Sequence, residues 1–294
     1  MTIQKALQIY LDWKESNTIS AYERYKVRLV QFLDFISPKS CLQDVSGEDV
    51  IAFHKYMKTH YSDATIAYST RILRNFFWFW NGRGFENLNH EEIIPIKFVN
   101  ADKDIVNKDD MEDMNDVLDE RYYSDLQRKL VLNLLWDTGI RLSELLDIKL
   151  SDIKEQDQDK LRTAKVRTRK TMRYNLIAWG SKTNDLLNQY LGLRLCMEDV
   201  ESDYLFINRK SKVRFTPKSV QRWVKETREL AGIDKNITPH SFRHGKANEI
   251  LEQGGTVRDV SAILRHVSPN SSFNYLRLSQ KRYLQTASKF LQVA

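Results

Sequence analysis

The sequence predicts a mainly α-helical chain in two domains, with a small antiparallel sheet confined to the second. Three observations carry that expectation. The 294 residues exceed what one ordinary core organises. Apolar residues recur at helical spacing along most of the chain. One stretch, residues 160–178, alternates instead and is rich in Val, Thr, Arg and Tyr, as a β-hairpin requires.

The first third reads as four helices. Ala6, Leu7, Ile9, Tyr10 and Trp13 set one over residues 3–15, and Tyr22, Tyr25, Leu29, Phe32, Leu33 and Ile36 carry a second over 20–36, closed by Ser37-Pro38. A third opens at Ser46 as N-cap, with Asp49 three residues on, and ends near His60. The fourth runs from Ser62-Asp63 to Trp80 and is stopped by Asn81-Gly82. Short connections make these a small bundle. In the fourth helix Leu73, Phe76, Phe77 and Trp80 share the face that fills the core, whereas Arg71, Arg74 and Trp78 share another, a candidate surface for a nucleic-acid groove. From Gly82 to Asn107 the helical stripe lapses and Pro95 punctuates it, so we read residues 1–84 as a helical domain, 85–107 as a linker and 108–294 as the second domain.

The second domain opens at Asn107-Lys-Asp-Asp, with helices over 109–118 and 124–138. After Gly139 the run Arg141-Leu-Ser-Glu144-Leu-Leu forms another amphipathic turn. Helix returns over 183–195 and again at Thr216-Pro217, an N-cap followed by Pro at the first helical position. Val220, Trp223, Val224 and Leu230 give that helix its core face and leave Lys218, Arg222 and Lys225 together on another. Further helices cover 241–253 and 257–264. Near the C-terminus Tyr283, Leu284, Ala287, Phe290, Leu291 and Ala294 form one apolar stripe, read as a partner-docking helix.

Composition narrows the function. Hydrophobic residues at 41% and charged residues at 29% fit a globular chain rather than a disordered one. No apolar run approaches the roughly 20 residues of a membrane span, so no membrane partner is expected. Cys41 and Cys196 stand far apart without a CxxC partner, which points to a reducing, cytoplasmic setting. The 46 Lys and Arg exceed the 39 Asp and Glu by seven, and the excess is concentrated. Residues 160–182 hold Lys160, Arg162, Lys165, Arg167, Arg169, Lys170, Arg173 and Lys182 without an acid. A second basic run spans Arg209 to Arg228, and two such runs in one domain favour a phosphate-binding surface.

The histidines exclude one chemistry and suggest another. His240 and His244 are four apart, but Ser241 replaces the glutamate of a zinc-protease helix and no third ligand is near in sequence, so no metal site and no cofactor are expected. Pro239-His240-Ser-Phe-Arg243-His244 instead sets His240 and Arg243 on one helical face. Leu264-Arg265-His266 follows an apolar helix, and Tyr275 lies nine residues beyond His266. Upstream, Thr138-Gly-Ile-Arg141-Leu-Ser-Glu144 pairs an arginine with an acid three residues on. In this order the segments resemble the tyrosine recombinases, also called phage-type integrases, across the whole second domain. The first domain is similar to that family's SAM-like DNA-clamping domain.

The resemblance implies a site-specific recombinase that cleaves and religates double-stranded DNA through a 3′-phosphotyrosyl intermediate, working as a homo-oligomer, a tetramer in the synapse. Arg141 and Arg243 would hold the non-bridging oxygens of the scissile phosphate, as bidentate, permanently charged groups can. Tyr275 would be the nucleophile, His240 the general acid/base beside it, and His266 a hydrogen-bond donor to phosphate. Glu144 would orient the arginine and histidine side chains. The leaving 5′-oxygen needs an acid on a β-turn. The usual Gly-Lys-Gly is absent, and Lys170 is chosen over its rival Lys165 because Lys170-Thr shortly precedes an apolar strand. Two departures stand out: Arg265, where the family commonly has Gly, and Gly245-Lys246, where a small hydroxyl residue is usual. Two alternatives remain open, a type IB topoisomerase-like nicking-closing enzyme and a catalytically silent DNA-binding accessory protein. The H-x8-Y spacing argues against the first and the intact set of reactive groups against the second.

Overall fold

A computed structural model of the chain describes residues 1–17, 22–36, 41–96, 104–154, 161–168, 173–198 and 200–266. Ser20, Ser37-Pro38, Lys160, Arg169, Lys170, Tyr275 and the stripe from Tyr283 to Ala294 lie outside them. The chain divides into two compact units, Met1–Asp102 and Lys103–Ala294.

The first unit is built on α1 (Ile3–Asn17), α2 (Tyr22–Phe35), α3 (Gly47–His60) and α4 (Asp63–Asn81). The Asp49 carboxylate accepts the Ser46 backbone N–H at 2.7 Å, which holds the start of α3. Aromatic rings fill the core edge to face: Tyr10 on Phe76 and Phe32 on Phe53, each pair 5.2 Å between centroids. Leu73, Phe76, Phe77 and Trp80 are buried as their spacing requires, while Trp78 stays 54% exposed.

Part of the segment read as a linker belongs to this core. Leu88 and Ile93 are buried in it. The amide of Asn81 donates to the carbonyls of Phe85 and Leu88 at 2.7 and 3.0 Å. That of Asn87 donates to Leu42 and Val45 at 3.0 and 2.8 Å. Side-chain amides, not a helix ladder, satisfy this backbone, so no hydrophobic period marks it.

In the second unit α5 (Lys108–Asp116) leads into α6 (Tyr123–Thr138), α7 (Leu142–Leu146) and a sheet of β1 (Ile153–Lys154), β2 (Arg162–Thr168) and β3 (Arg173–Trp179). Helices α8 (Ser181–Leu195), α9 (Pro217–Leu230), α10 (Pro239–Glu252) and α11 (Val257–Ile263) follow. Helix α6 packs on α8, α10 and β3, and its Leu126, Leu130, Val131, Leu132, Leu134 and Leu135 are all buried. The sheet is antiparallel in the order β1-β2-β3, with Ala164 opposite Ile177 and Thr168 opposite Arg173. Ala164, Val166 and Thr168 face inward and Lys165 and Arg167 outward, the period-two alternation of a half-buried strand. The two-residue edge strand β1 is too short to leave a periodic trace in sequence.

Candidate active site

The site grows from the turn between α6 and α7. Gly139 caps α6 at φ +53°, the left-handed region. The left-handed turn favours glycine there, and a Cβ would also fall 2.3 Å from Cδ2 of Leu264, whose side chain would have to move. The Thr138 hydroxyl donates to Leu134 carbonyl at 2.6 Å and accepts the Ile140 N–H at 3.1 Å. The Thr-Gly-Ile sequence therefore makes a tight reversal that delivers Arg141 to the start of α7.

Glu144, only 1% exposed, organises what surrounds that arginine. Its Oε1 accepts Nη1 of Arg141 at 2.8 Å and the Thr168 hydroxyl at 3.0 Å. Its Oε2 accepts the Arg141 backbone N–H at 3.3 Å and stands 3.6 Å from Nη2 of Arg265. One buried carboxylate thus joins α7, the end of β2 and the residue beside His266. Asn175 on β3 donates to the Thr168 hydroxyl at 3.1 Å and extends the chain of hydrogen bonds across the hairpin.

Arg243 sits on α10, 2% exposed. Its Nη1 donates to the Gly139 carbonyl at 2.6 Å and its Nη2 to the Leu264 carbonyl. It therefore bridges the turn that carries Arg141 and the segment that carries His266. His266 is held below the ordinary histidine range, pushed down to about 4, by burial first and then by the charges of Arg243, Arg141 and Arg265. Those three cations and His266 are thus gathered in one electropositive cluster. His240 is exposed in the first turn of α10, whose other residues are buried, and its ring lies 4.4 Å from that of His244 in an edge-on arrangement.

Of the two lysine rivals, Lys165 lies among the described residues and Lys170 does not. Lys165 points outward from β2, with its Nζ 4.2 Å from the centre of the Tyr174 ring, on the face opposite Thr168. Among the candidate DNA contacts, Arg71 is exposed and Arg74 half-buried, its Nη1 3.5 Å from the Ile93 carbonyl. Lys218 is exposed on α9, and Arg222 lies 3.5 Å from Glu226 one turn along. Two site neighbours carried no motif signal of their own. Thr168 reads in sequence as an ordinary strand residue, and Arg265 was marked only by standing where glycine is usual.

The departure at Gly245 has a packing cause. A Cβ there would meet the Val106 carbonyl oxygen at 2.0 Å. The segment entering α5 runs directly over α10, with Val106 buried and its N–H 3.4 Å from the Ser241 carbonyl.

A helical bundle followed by an α-rich domain, with a three-stranded sheet beside a cluster of arginines, is the architecture that the sequence resemblance to the tyrosine recombinases implies. The chain belongs to the Phage integrase family, whose profile matches residues 105–282. It is 26% identical over 283 residues to tyrosine recombinase XerD of Listeria innocua, covering 94% of this chain and 92% of that one. It is 27% identical to tyrosine recombinase XerC of a Roseiflexus species, over 90% and 84% of the two chains. Solved structures share the fold. XerH recombinase bound to its palindromic difH substrate, in a post-cleavage complex, superposes with a TM-score of 0.74 at 19% identity over 97% and 84% of the two chains. A lambda integrase tetramer bound to a Holliday junction gives 0.76 at 16% identity over 95% and 80%. Among the described residues no helix is long and apolar enough to cross a membrane.

Proposed function

We propose that Arg141, Arg243 and His266 bind the scissile phosphate of DNA and that Tyr275, Lys170 and His240 carry the proton and bond transfers there. The chain is a tyrosine site-specific recombinase, and these assignments give its chemistry at residue level. The Tyr275 oxygen attacks phosphorus, forming the phosphotyrosyl bond while the bond to the 5′-oxygen breaks. His240 accepts the phenolic proton and Lys170 supplies one to the leaving 5′-oxygen. Attack by the 5′-hydroxyl of the partner duplex reverses the sequence and reseals the strand. The phosphoester energy is retained in the intermediate, so no nucleotide is consumed. Two arginines whose charge does not titrate offset the charge that grows on the phosphoryl oxygens.

The observation that carries this reading is the convergence on residues 138–140: Arg243 grips the Gly139 carbonyl, Glu144 sets Arg141, and His266 feels both charges. The outward stacking of Lys165 on Tyr174 favours Lys170 as the acid. Arg71, Arg74, Lys218 and Arg222 contact the DNA backbone. The working assembly is a tetramer of this chain on two duplexes in the cytoplasm, a reading supported by the lambda integrase neighbour, itself a tetramer on a Holliday junction. The test is Tyr275→Phe. It abolishes the covalent protein–DNA complex on a nicked suicide substrate and leaves DNA affinity unchanged in a gel-shift titration. A persisting covalent complex overturns the assignment.

A further inference from the structure

Arg265 carries two unfavourable features at once. Its φ is +55°, the left-handed region that favours glycine, and Lys212 is the only other non-glycine residue with positive φ among those described. Its guanidinium is also buried, the side chain only 6% exposed. Within the described residues its Nε and Nη2 make no hydrogen bond. Burial lowers its pKa, a shift that Glu144 opposes and Arg141 reinforces. A glycine would relieve the backbone and avoid burying a charge. What the arginine adds is connection. Nη2 faces Glu144 Oε2 at 3.6 Å, and Nη1 donates to the carbonyls of Thr138 at 3.3 Å and Ile263 at 2.8 Å.

We propose that Arg265 is a positioning residue for DNA cleavage: by sharing the Glu144 carboxylate with Arg141 and tying the end of α11 to the turn at Thr138, it holds Arg141 and His266 in register on the phosphate. This rests on the site reading above. The division of the carboxylate is the physical core of the idea. Oε1 takes Arg141 and Thr168, and Oε2 is shared between the Arg141 backbone N–H and the Arg265 charge. With Arg265 present, Arg141 engages Glu144 through Nη1 while its side chain stays 36% exposed, open to an incoming anion. Without it, a carboxylate left with one cationic side chain draws that side chain inward, and the backbone that carries His266 loses its tie to the turn.

Arg265 touches neither phosphate nor nucleophile in this scheme, so it acts through Glu144, and its effect is non-additive with a change there. The experiment measures single-turnover cleavage of a nicked suicide substrate by the full chain and by Arg265→Gly, Arg265→Met, Glu144→Gln and the Glu144→Gln/Arg265→Met double variant, with DNA affinity measured alongside. Arg265→Gly, which suits the backbone, cleaves roughly ten- to a hundredfold more slowly at unchanged affinity. The double variant falls short of the product of the two single losses, because the share of the Arg265 effect that runs through Glu144 is already gone while the tie to Thr138 is still lost. Wild-type cleavage by Arg265→Gly, or losses that multiply in the double variant, overturn the proposal. A covalent complex persisting in Tyr275→Phe overturns the site reading and this inference together. Loss of that complex with wild-type cleavage by Arg265→Gly overturns this inference alone.

Discussion

His266 is surrounded by Arg243, Arg141 and Arg265, and burial and their charges together favour its neutral form. The consequence for stability has a definite sign. Between the unfolded value of about 6.5 and the folded value of about 4, the unfolded chain binds the extra proton. The contribution is therefore fully present above about pH 6.5 and is lost as pH falls toward 4. NMR titration of the His266 ring in the free protein is expected to show a midpoint near 4. Denaturant unfolding is expected to show stability falling over that window, with His266→Gln removing part of the slope. A ring that titrates near 6.5 would mean that neither burial nor the three guanidinium groups act on it.

Helix α10 shows how much one element can be asked to do. Thr238 and Pro239 start it, Arg243 faces the turn at Gly139, and Gly245 yields to the segment over its outer side. The Val106 carbonyl approaches so closely that any side chain at 245 must displace backbone, not the tip of a flexible group. Gly245→Ala is expected to destabilise the protein by about 1–3 kcal/mol, the usual range for overpacking, read as a lower urea midpoint at unchanged slope. The helix starts at Ser46 and at Thr216-Pro217 were legible because capping is local chemistry: the Thr216 hydroxyl accepts the Ser219 N–H. Residues 85–96 were not legible, since they are held by Asn81 and Asn87 reaching back across the fold rather than by any repeat.

For the molecule as a whole, recombination between two duplexes needs an assembly, and the apolar stripe from Tyr283 to Ala294 is the segment proposed to build it. Burying Phe290 and Leu291 in a neighbouring copy contributes roughly 1.5–3 kcal/mol each, enough to move an assembly equilibrium by an order of magnitude or more. Truncation after Gln280 is expected to weaken higher-order complexes on DNA while sparing single-site binding, as sedimentation and native gels would report. Equal synapsis by the truncated chain would assign the stripe to its own domain. Basic side chains enter the same balance less simply than their number suggests, because Glu226 pairs with Arg128 at 3.0 Å as well as with Arg222.

The sequence by itself determined the helical class, the hairpin, the family and the candidate reactive residues, because helical period, capping and motif spacing are short-range properties of the chain. It also marked Arg265 and Gly245 as departures, without a reason for either. Only the tertiary structure decided what those departures do. It put a buried carboxylate between Arg141, Thr168 and Arg265, residues from three segments of the chain. It also laid the carbonyl of Val106 where a side chain at 245 would be. The links from Glu144 to Thr168 and Arg265, and from Val106 to Gly245, join residues more than twenty positions apart. Such contacts depend on how elements pack, and no local pattern encodes them.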